Sequence, residues 1–391
     1  MTKRDLISTN VEETKDFLRH IINNNRYLQE NKKPPVSIEV VGSSGIGKTS
    51  IIIQLAKEMD MDFVKLNLAQ IEEISDLVGF PIRQFEMVNG KEPIWVDEHS
   101  FDEHVKAGYK STGKNRMSYC PPEWIAGKGN GGILLLDDWN RADLRFIQAI
   151  MELVDRQQYI SWSLPKDWHI ILTANPDSGD YLVNTIDTAQ KTRFISVNLK
   201  FDVNCWAKWA EEATMDGRCI NFLLLHPELV TPDVNSRSIT MFFNSISSIK
   251  SFESSLPLIQ MIGEGSVGAE FSTLFTMFIN NKLDKMISPK SIFTKEEDYV
   301  VKTLKGLVGK EDKYRADIAS TLATRIVNYL GVYAKENKVE KDIIDRIDKL
   351  VTEEIFTTDI CYNMVKGIYT SDPGKFKILM TKKALIKFIT S

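Results

Sequence analysis

The chain is poor in the residues that staple, thread or span. Its 391 residues hold four cysteines, Cys120, Cys205, Cys219 and Cys361, far apart and with no C-x-x-C pair. That excludes a zinc ribbon and a disulfide framework, and fits reduced thiols. No apolar run approaches the ~20 residues that cross a bilayer. The start, Met1-Thr2-Lys3-Arg4-Asp5-Leu6, runs into charged sequence rather than the apolar core of a signal peptide. A soluble, cytoplasmic protein without membrane contact is expected. There is no excess of positive charge either. Lys and Arg number 49 against 53 Asp and Glu, a net charge of -4, so nothing global draws the chain to nucleic acid or anionic lipid. Only five histidines occur. His99 and His104 stand among Asp97, Glu98, Asp102 and Glu103, but their spacing is not H-E-x-x-H, and a solvated acidic turn is expected there. No internal period suggests a solenoid.

What is present is ordinary globular composition, 43% hydrophobic and 26% charged, on a chain long enough for two or three cores. Against that background one stretch stands out. Gly42-Ser43-Ser44-Gly45-Ile46-Gly47-Lys48-Thr49 matches G-x-x-x-x-G-K-[ST]. It follows the apolar run Val36–Val41, which reads as a strand, and opens a helix expected over Lys48–Met59. Glycines at these positions let backbone N–H groups curl around an anion. The helix start adds partial positive charge, Lys48 a full one, and Thr49 a hydroxyl suited to Mg²⁺. Residues Gly42 to Ser50 are therefore the candidate site for a nucleoside triphosphate.

Along the chain, apolar residues at helical spacing predict a helix over 9–30, with Thr9 or Asn10 as its cap. Phe63–Leu68 reads as a strand, so strand, loop, helix and strand open a parallel α/β sheet. Phe85–Val88 and Pro93–Val96, around Asn89-Gly90, read as a hairpin with that two-residue turn or a slightly longer one. The polar stretch 108–116 shows no periodicity and is expected to be a mobile surface segment. Gly131–Asp138 is a buried central strand ending in two carboxylates, and a helix is expected over 141–154. Trp168–Thr173 and Phe194–Leu199 read as further strands. From Asp202 onward only helical periodicity appears, with breaks near Pro227, Pro232, Gly263–Gly268, Pro289 and Gly306–Gly309. Trp206 and Trp209, at helical spacing, are expected in the core of this part.

Asp137-Asp138 at an apolar strand end has the form of a Walker B motif: Asp137 for the Mg²⁺ shell, Asp138 to orient the attacking water. Leu135-Leu136-Asp137-Asp138-Trp139-Asn140-Arg141-Ala142 resembles the L-L-D-E-[IV]-N-R-A signature of MoxR-type AAA+ ATPases. Asp76-Leu77-Val78-Gly79 resembles that family's D-L-[LI]-G segment, and Thr173-Ala174-Asn175-Pro176 the end of its A-T-x-N-P strand. Ala189-Gln190-Lys191-Thr192-Arg193-Phe194 resembles E-A-Q-x-D-R-F, and Asn235-Ser236-Arg237-Ser238 the S-P-R segment. The likeness covers roughly 35–250, with five motifs in order. It implies that Asn175 is sensor 1, that Arg193 is supplied to a neighbouring subunit's nucleotide, and that Arg237 is sensor 2. It also implies a homo-oligomeric, commonly hexameric ring that binds ATP and Mg²⁺. Such a ring remodels or activates a partner protein, often one with a von Willebrand A-type domain.

The expected fold class is thus α/β: an AAA+ P-loop NTPase with a parallel central sheet, a helical lid and an additional all-α C-terminal domain. The expected divisions are 1–34, an N-terminal helix and linker; 35–201, the nucleotide-binding domain with an insertion at about 80–122; 202–252, the lid; and 253–391, the C-terminal helices. The insertion is a candidate contact region, and equally a decorative hairpin. Two departures from the family pattern bear on chemistry. Asp138 stands where the family has Glu, one methylene longer, which points to slow hydrolysis and a switch. Thr192 replaces the Asp before the arginine. Lys375, Lys377, Lys382, Lys383 and Lys387, interleaved with Phe376, Leu379, Met380, Leu385 and Phe388, predict a basic amphipathic helix packed by its apolar face. Two alternatives remain open: a clamp-loader-like or translocase-like ring acting on nucleic acid through that tail, and a slow ATP-gated scaffold. The acidic balance and the lack of a recognition motif argue against the former.

Overall fold

The computed structural model describes residues 6–90, 92–176, 184, 188–280, 286–382, 384, 385 and 388. Contacts divide the chain into two compact units, Met1–Lys200 and Phe201–Ser391.

In the first unit a short strand, β1 (Ser8–Thr9), leads to α1 (Val11–Glu30). The Asn10 side chain accepts from the Glu13 amide, and Glu13 accepts from the Asn10 amide, both at 2.9 Å. This reciprocal box satisfies two donors that a helix start leaves without partners. There follow β2 (Ser37–Val41), α2 (Lys48–Glu58), β3 (Asp62–Asn67), α3 (Ile74–Val78), β4 (Phe80–Val88), β5 (Ile94–Asp97), α4 (Phe101–Lys106) and β6 (Lys110–Cys120). Then come β7 (Gly132–Asp137), α5 (Leu144–Arg156), β8 (Gln158–Tyr159), β9 (Trp162–Ser163), β10 (Trp168–Ala174), α6 (Thr188–Lys191) and β11 (Phe194–Leu199).

Six strands form one parallel sheet in the order β1-β11-β2-β10-β7-β3. Both faces are covered, so its central strands are continuous apolar runs. Successive side chains alternate between two cores. Ile133 and Leu135 meet Leu18, Ile22, Ile52 and Leu55 of α1 and α2, whereas Leu134 and Leu136 meet Ile147, Ile150 and Val154 of α5. Each such buried side chain contributes about 1.5–3 kcal/mol. The register pairs Ala174 with Val41, Leu172 with Leu136 and Asn67 with Asp137. The loops leaving β2, β7 and β10 therefore emerge side by side at one edge.

The parallel sheet, its phosphate-loop strand and helix, and the helical second half are as the sequence predicts. Some local expectations change. Residues 108–116 are not a surface loop. From Lys110 they belong to β6, paired antiparallel with β4 in a separate sheet of order β5-β4-β6. Residues 110–117 are exposed whichever face they occupy, so main-chain pairing makes this strand with no alternation for a sequence reading to detect. The expected hairpin is β4 and β5, with Met87 paired to Ile94 across a turn wider than Asn89-Gly90. Around His99 and His104 the expected solvated acidic turn is a 3-10 turn, Glu98–Ser100, that runs on into α4, and neither buries a residue. Helix α5 begins at Leu144, capped by Asp143, because Trp139–Arg141 forms a 3-10 turn of its own.

The second unit is helical throughout its described residues. It comprises α7 (Val203–Glu212), α8 (Gly217–Leu225), α9 (Ser236–Ser245), α10 (Leu256–Asn280), α11 (Pro289–Thr294), α12 (Glu297–Val308), α13 (Ala316–Glu336), α14 (Lys341–Thr352) and α15 (Thr358–Ser371). One apolar cluster runs from Trp206 to Ile279, with Trp209 packed against it, and a second from Met286 to Phe388. Of the expected break at Gly263–Gly268, only Gly268, at φ 83°, leaves the helix. The two halves of α10 then pack so closely that a Cβ on Gly263 would lie 2.5 Å from that of Ser272. Within 375–388, where a basic amphipathic helix is predicted, Lys377–Thr381 is a 3-10 turn following Pro373-Gly374, while Ala384, Leu385 and Phe388 are helical. Phe376, Leu379, Leu385 and Phe388 are buried as expected, and Lys382 pairs with Asp345 at 2.6 Å rather than standing free in water. Lys383 and Lys387 lie outside the described residues. Among the described residues no helix is long and apolar enough to cross a membrane.

Candidate nucleotide-binding site

The loop 42–47 is anchored where β2 ends. The Gly42 amide donates to the Ala174 carbonyl at 3.1 Å, tying the loop to the neighbouring strand β10. Gly47 turns the chain into α2 at φ +100°, a conformation that L side chains avoid. The helix begins there with no side-chain cap, so its positive end faces the loop. Lys48 is 8% exposed, and its Nζ donates to Gly42 O (2.7 Å), Ser43 O (3.1 Å) and Asn175 Oδ1 (3.0 Å). The Thr49 hydroxyl donates to Asp137 Oδ1 at 3.0 Å. Ser44, Gly45 and Ile46 complete the loop, while Ser50 is exposed in the first turn of α2.

Asp137 ends β7, buried, and gathers donors from three elements. Besides Thr49, Thr173 Oγ1 of β10 donates to its Oδ1, and Lys65 of β3 pairs with its Oδ2 at 2.8 Å. Burial pushes the Asp137 carboxyl upward, but Lys65, Thr173 and Thr49 outweigh it and hold the group below the usual carboxylate range. Asp138 follows in the left-handed region, φ 51° and ψ 36°. Its amide donates to Thr173 Oγ1 at 3.1 Å, and its Oδ1 accepts from Asn175 Nδ2 at 3.1 Å. Thr173 thus holds both aspartates, and Asn175 joins Lys48 to Asp138.

Asn175 is itself clamped. Asn140 Nδ2 donates to the Asn175 carbonyl at 2.8 Å, and the Asn175 amide approaches Asn140 Oδ1 at 3.3 Å, both side chains being buried. No sequence motif marks a role for Lys65, Asn140 or Thr173. Two weak signals were there to read: Lys65 is a cation inside an apolar strand, and Asn140 sits two residues past the carboxylate pair.

Arg193 lies elsewhere in the same unit. Arg193 precedes β11, whose Phe194 is in register with Ser37 at the start of β2. It is therefore at the opposite end of the sheet from the phosphate loop. At ~3.3 Å per residue, the length of β2 separates the two by about 15 Å. Its Nη1 donates to the Ala189 carbonyl at 3.0 Å. Arg237 is exposed in the first turn of α9, where Asn235 caps the helix by accepting from the Arg237 and Ser238 amides.

The residues present fit Mg²⁺ and a triphosphate. A buried ammonium beside an uncapped helix start suits phosphate oxygens. The hydroxyl of Thr49 and the carboxylate of Asp137, 3.0 Å apart and both hard oxygen donors, suit Mg²⁺.

No family model matches the chain, and no curated protein matches it. Solved structures do show likeness. One is a RuvB variant from Thermotoga maritima, 12% identical with a TM-score of 0.37, over 77% of this chain and 85% of that one. Another, described as the Thermotoga maritima RuvB Holliday junction branch migration motor, is 11% identical with a TM-score of 0.31, over 85% and 84%. A Cytophaga hutchinsonii protein, described provisionally as an ATPase, is 14% identical with a TM-score of 0.31, over 86% of each chain. At that distance the functional reading rests on the geometry at the carboxyl edge of this chain's own sheet, where the phosphate loop, Asp137, Asp138 and Asn175 converge.

Proposed function

We propose that the chain is a P-loop ATPase of the AAA+ kind, similar to MoxR-type members, which binds Mg·ATP at Gly42–Ser50 and hydrolyses it. The observation that carries this reading is the convergence of Lys48, Thr49, Asp137, Asp138 and Asn175 from separate elements at one sheet edge. When bound, the divalent cation supplies positive charge to the phosphates. The chain's own residues do the rest. Lys48 exchanges its carbonyl and Asn175 partners for phosphate oxygens, Asp138 orients the attacking water and receives its proton, and Asn175 keeps that carboxylate facing the loop.

The position of Arg193, at the far end of its own sheet, supports a role on a neighbouring subunit's nucleotide within a ring of identical chains. Arg237 would act from the lid, helices of about 202–252, with 253–391 as a further helical domain. Movement of the lid would remodel a partner protein, and the MoxR likeness suggests one with a von Willebrand A-type domain. The short reach of Asp138, one methylene less than the glutamate of the family pattern, favours slow turnover and a switch-like cycle.

The test is phosphate release per chain as the protein is diluted, for wild type and Arg193→Ala. Turnover should rise with assembly, and Arg193→Ala should bind ATP without turning it over. Full-rate hydrolysis by dilute monomer would refute the shared site. Asp138→Asn should trap an ATP-bound assembly, and unchanged turnover would remove Asp138 from its role.

A further inference from the structure

Glu39 is a carboxylate inside the sheet that the reading above leaves unused. It lies mid-strand on β2, 5% exposed, between Leu172 of β10 and Ser196 of β11. Its Oε1 accepts from the Trp139 indole at 2.9 Å, and its Oε2 accepts from the Ser196 hydroxyl at 2.6 Å. Burial raises its pKa, partly offset by these two donors and by the charge of Lys191. A buried carboxylate is costly to keep, so its two bonds tie together whatever carries the donors.

Those donors come from two different functional segments. Trp139 directly follows Asp138, whose left-handed backbone must be held by its surroundings. The indole is fully buried and packs edge-on against Phe194, centroids 5.5 Å apart. Phe194 directly follows Arg193, and Ser196 lies two residues further along the same strand. The Trp139 ring, carried by the turn at the phosphate edge, therefore meets the ring of Phe194, the residue after Arg193, and Glu39 in mid-strand bonds its indole.

We propose that Glu39 is a positioning residue that locks the Asp138 turn to the Arg193 segment through Trp139 and Ser196. A subunit's own water-orienting acid and the arginine it offers its neighbour are then set together. This rests on the shared-site ATPase reading above.

The test uses full-length chains in mixed assemblies. Lys48→Ala subunits bind no nucleotide but supply Arg193, and Arg193→Ala subunits bind nucleotide but supply no arginine. Mixed together, they should regain turnover at the sites of the Arg193→Ala subunits. Glu39→Leu is then placed in either partner. In the Arg193→Ala subunit it tests the positioning of Asp138, and in the Lys48→Ala subunit it tests the positioning of the arginine. Each arm should lose tenfold or more of the regained turnover, while the affinity for a fluorescent ATP analogue changes less than threefold. Glu39→Gln, which keeps an acceptor for the indole, should restore most of it in both arms. If Glu39→Leu does not fold, Trp139→Phe keeps the ring on Phe194 and removes only the donor, and it should lower both arms severalfold. Loss in one arm only, or in neither, overturns the proposal. If the unmodified pair fails to complement while Arg193→Ala alone turns over at the wild-type rate, it is the shared-site reading that fails.

Discussion

Asn140→Ala probes the clamp on Asn175. The substitution strips the partner from a buried carbonyl bonded at 2.8 Å, and from an amide at 3.3 Å, which lies beyond the usual N–H···O range. A buried polar group left without its partner costs about 1–3 kcal/mol, so the carbonyl dominates and the sum is about 2–3 kcal/mol. For a unit the size of Met1–Lys200, each kcal/mol lowers the melting temperature by about 2–4 °C, giving a drop of about 4–12 °C by calorimetry. Function should divide unequally. Lys48 keeps Gly42 and Ser43 as acceptors, so the affinity for a fluorescent ATP analogue should change less than about threefold. Asn175 no longer fixes Asp138, so turnover should fall about tenfold or more, equivalent to at least ~1.4 kcal/mol of barrier. A melting shift under ~2 °C with unchanged turnover would refute the clamp.

Three further outcomes follow from other parts of the molecule. The Lys65–Asp137 pair is partly exposed on the lysine side, 40%, and contributes about 1 kcal/mol. Lys65→Met should lower the Mg²⁺ concentration for half-maximal nucleotide binding about fivefold, because no tethered cation then holds the carboxylate; an unchanged or raised requirement contradicts this. Burial holds the His169 pKa below its usual value despite Asp167, so the folded state keeps the ring neutral. Its stabilising contribution is complete above the ordinary histidine pKa of ~6.5 and is lost as pH falls towards the lowered one. Melting temperature should therefore fall between pH 7 and pH 5, less steeply for His169→Gln, and parallel slopes for the two proteins would refute the assignment. In the helical unit Arg325 is buried against Glu211 at 2.7 Å and Asn221 at 2.9 Å. Arg325→Met should destabilise that unit by about 3 kcal/mol, and adding Glu211→Leu should recover much of the loss; no recovery would show that the unpaired carboxylate is not the cause.

The parallel sheet was legible because burial on both faces writes β7 and β10 as unbroken apolar runs. The phosphate loop was legible because its glycines, lysine and threonine each answer a separate geometric demand. What escaped was whatever depends on register. Thr173 reaches Asp137 because Leu136 pairs with Leu172, and no local pattern in either strand encodes that pairing. The Asn140 clamp likewise needs the turn after β7 to lie beside the end of β10. Strand β6 escaped because exposure on both faces leaves no alternation to detect. Glu39 did leave a mark, a charged residue in the middle of Ser37-Ile38-Glu39-Val40-Val41. Its meaning appears only once Trp139 and Ser196 are seen to meet it.

Titration calorimetry of the full chain with Mg·ATP, for wild type and Lys48→Ala, asks whether the loop holds the nucleotide. Wild type should bind one nucleotide per chain, and removing the buried ammonium at the loop should weaken affinity about 100-fold or more, ~2.7 kcal/mol. Equal affinity in the two proteins would show that Gly42–Ser50 is not the nucleotide site.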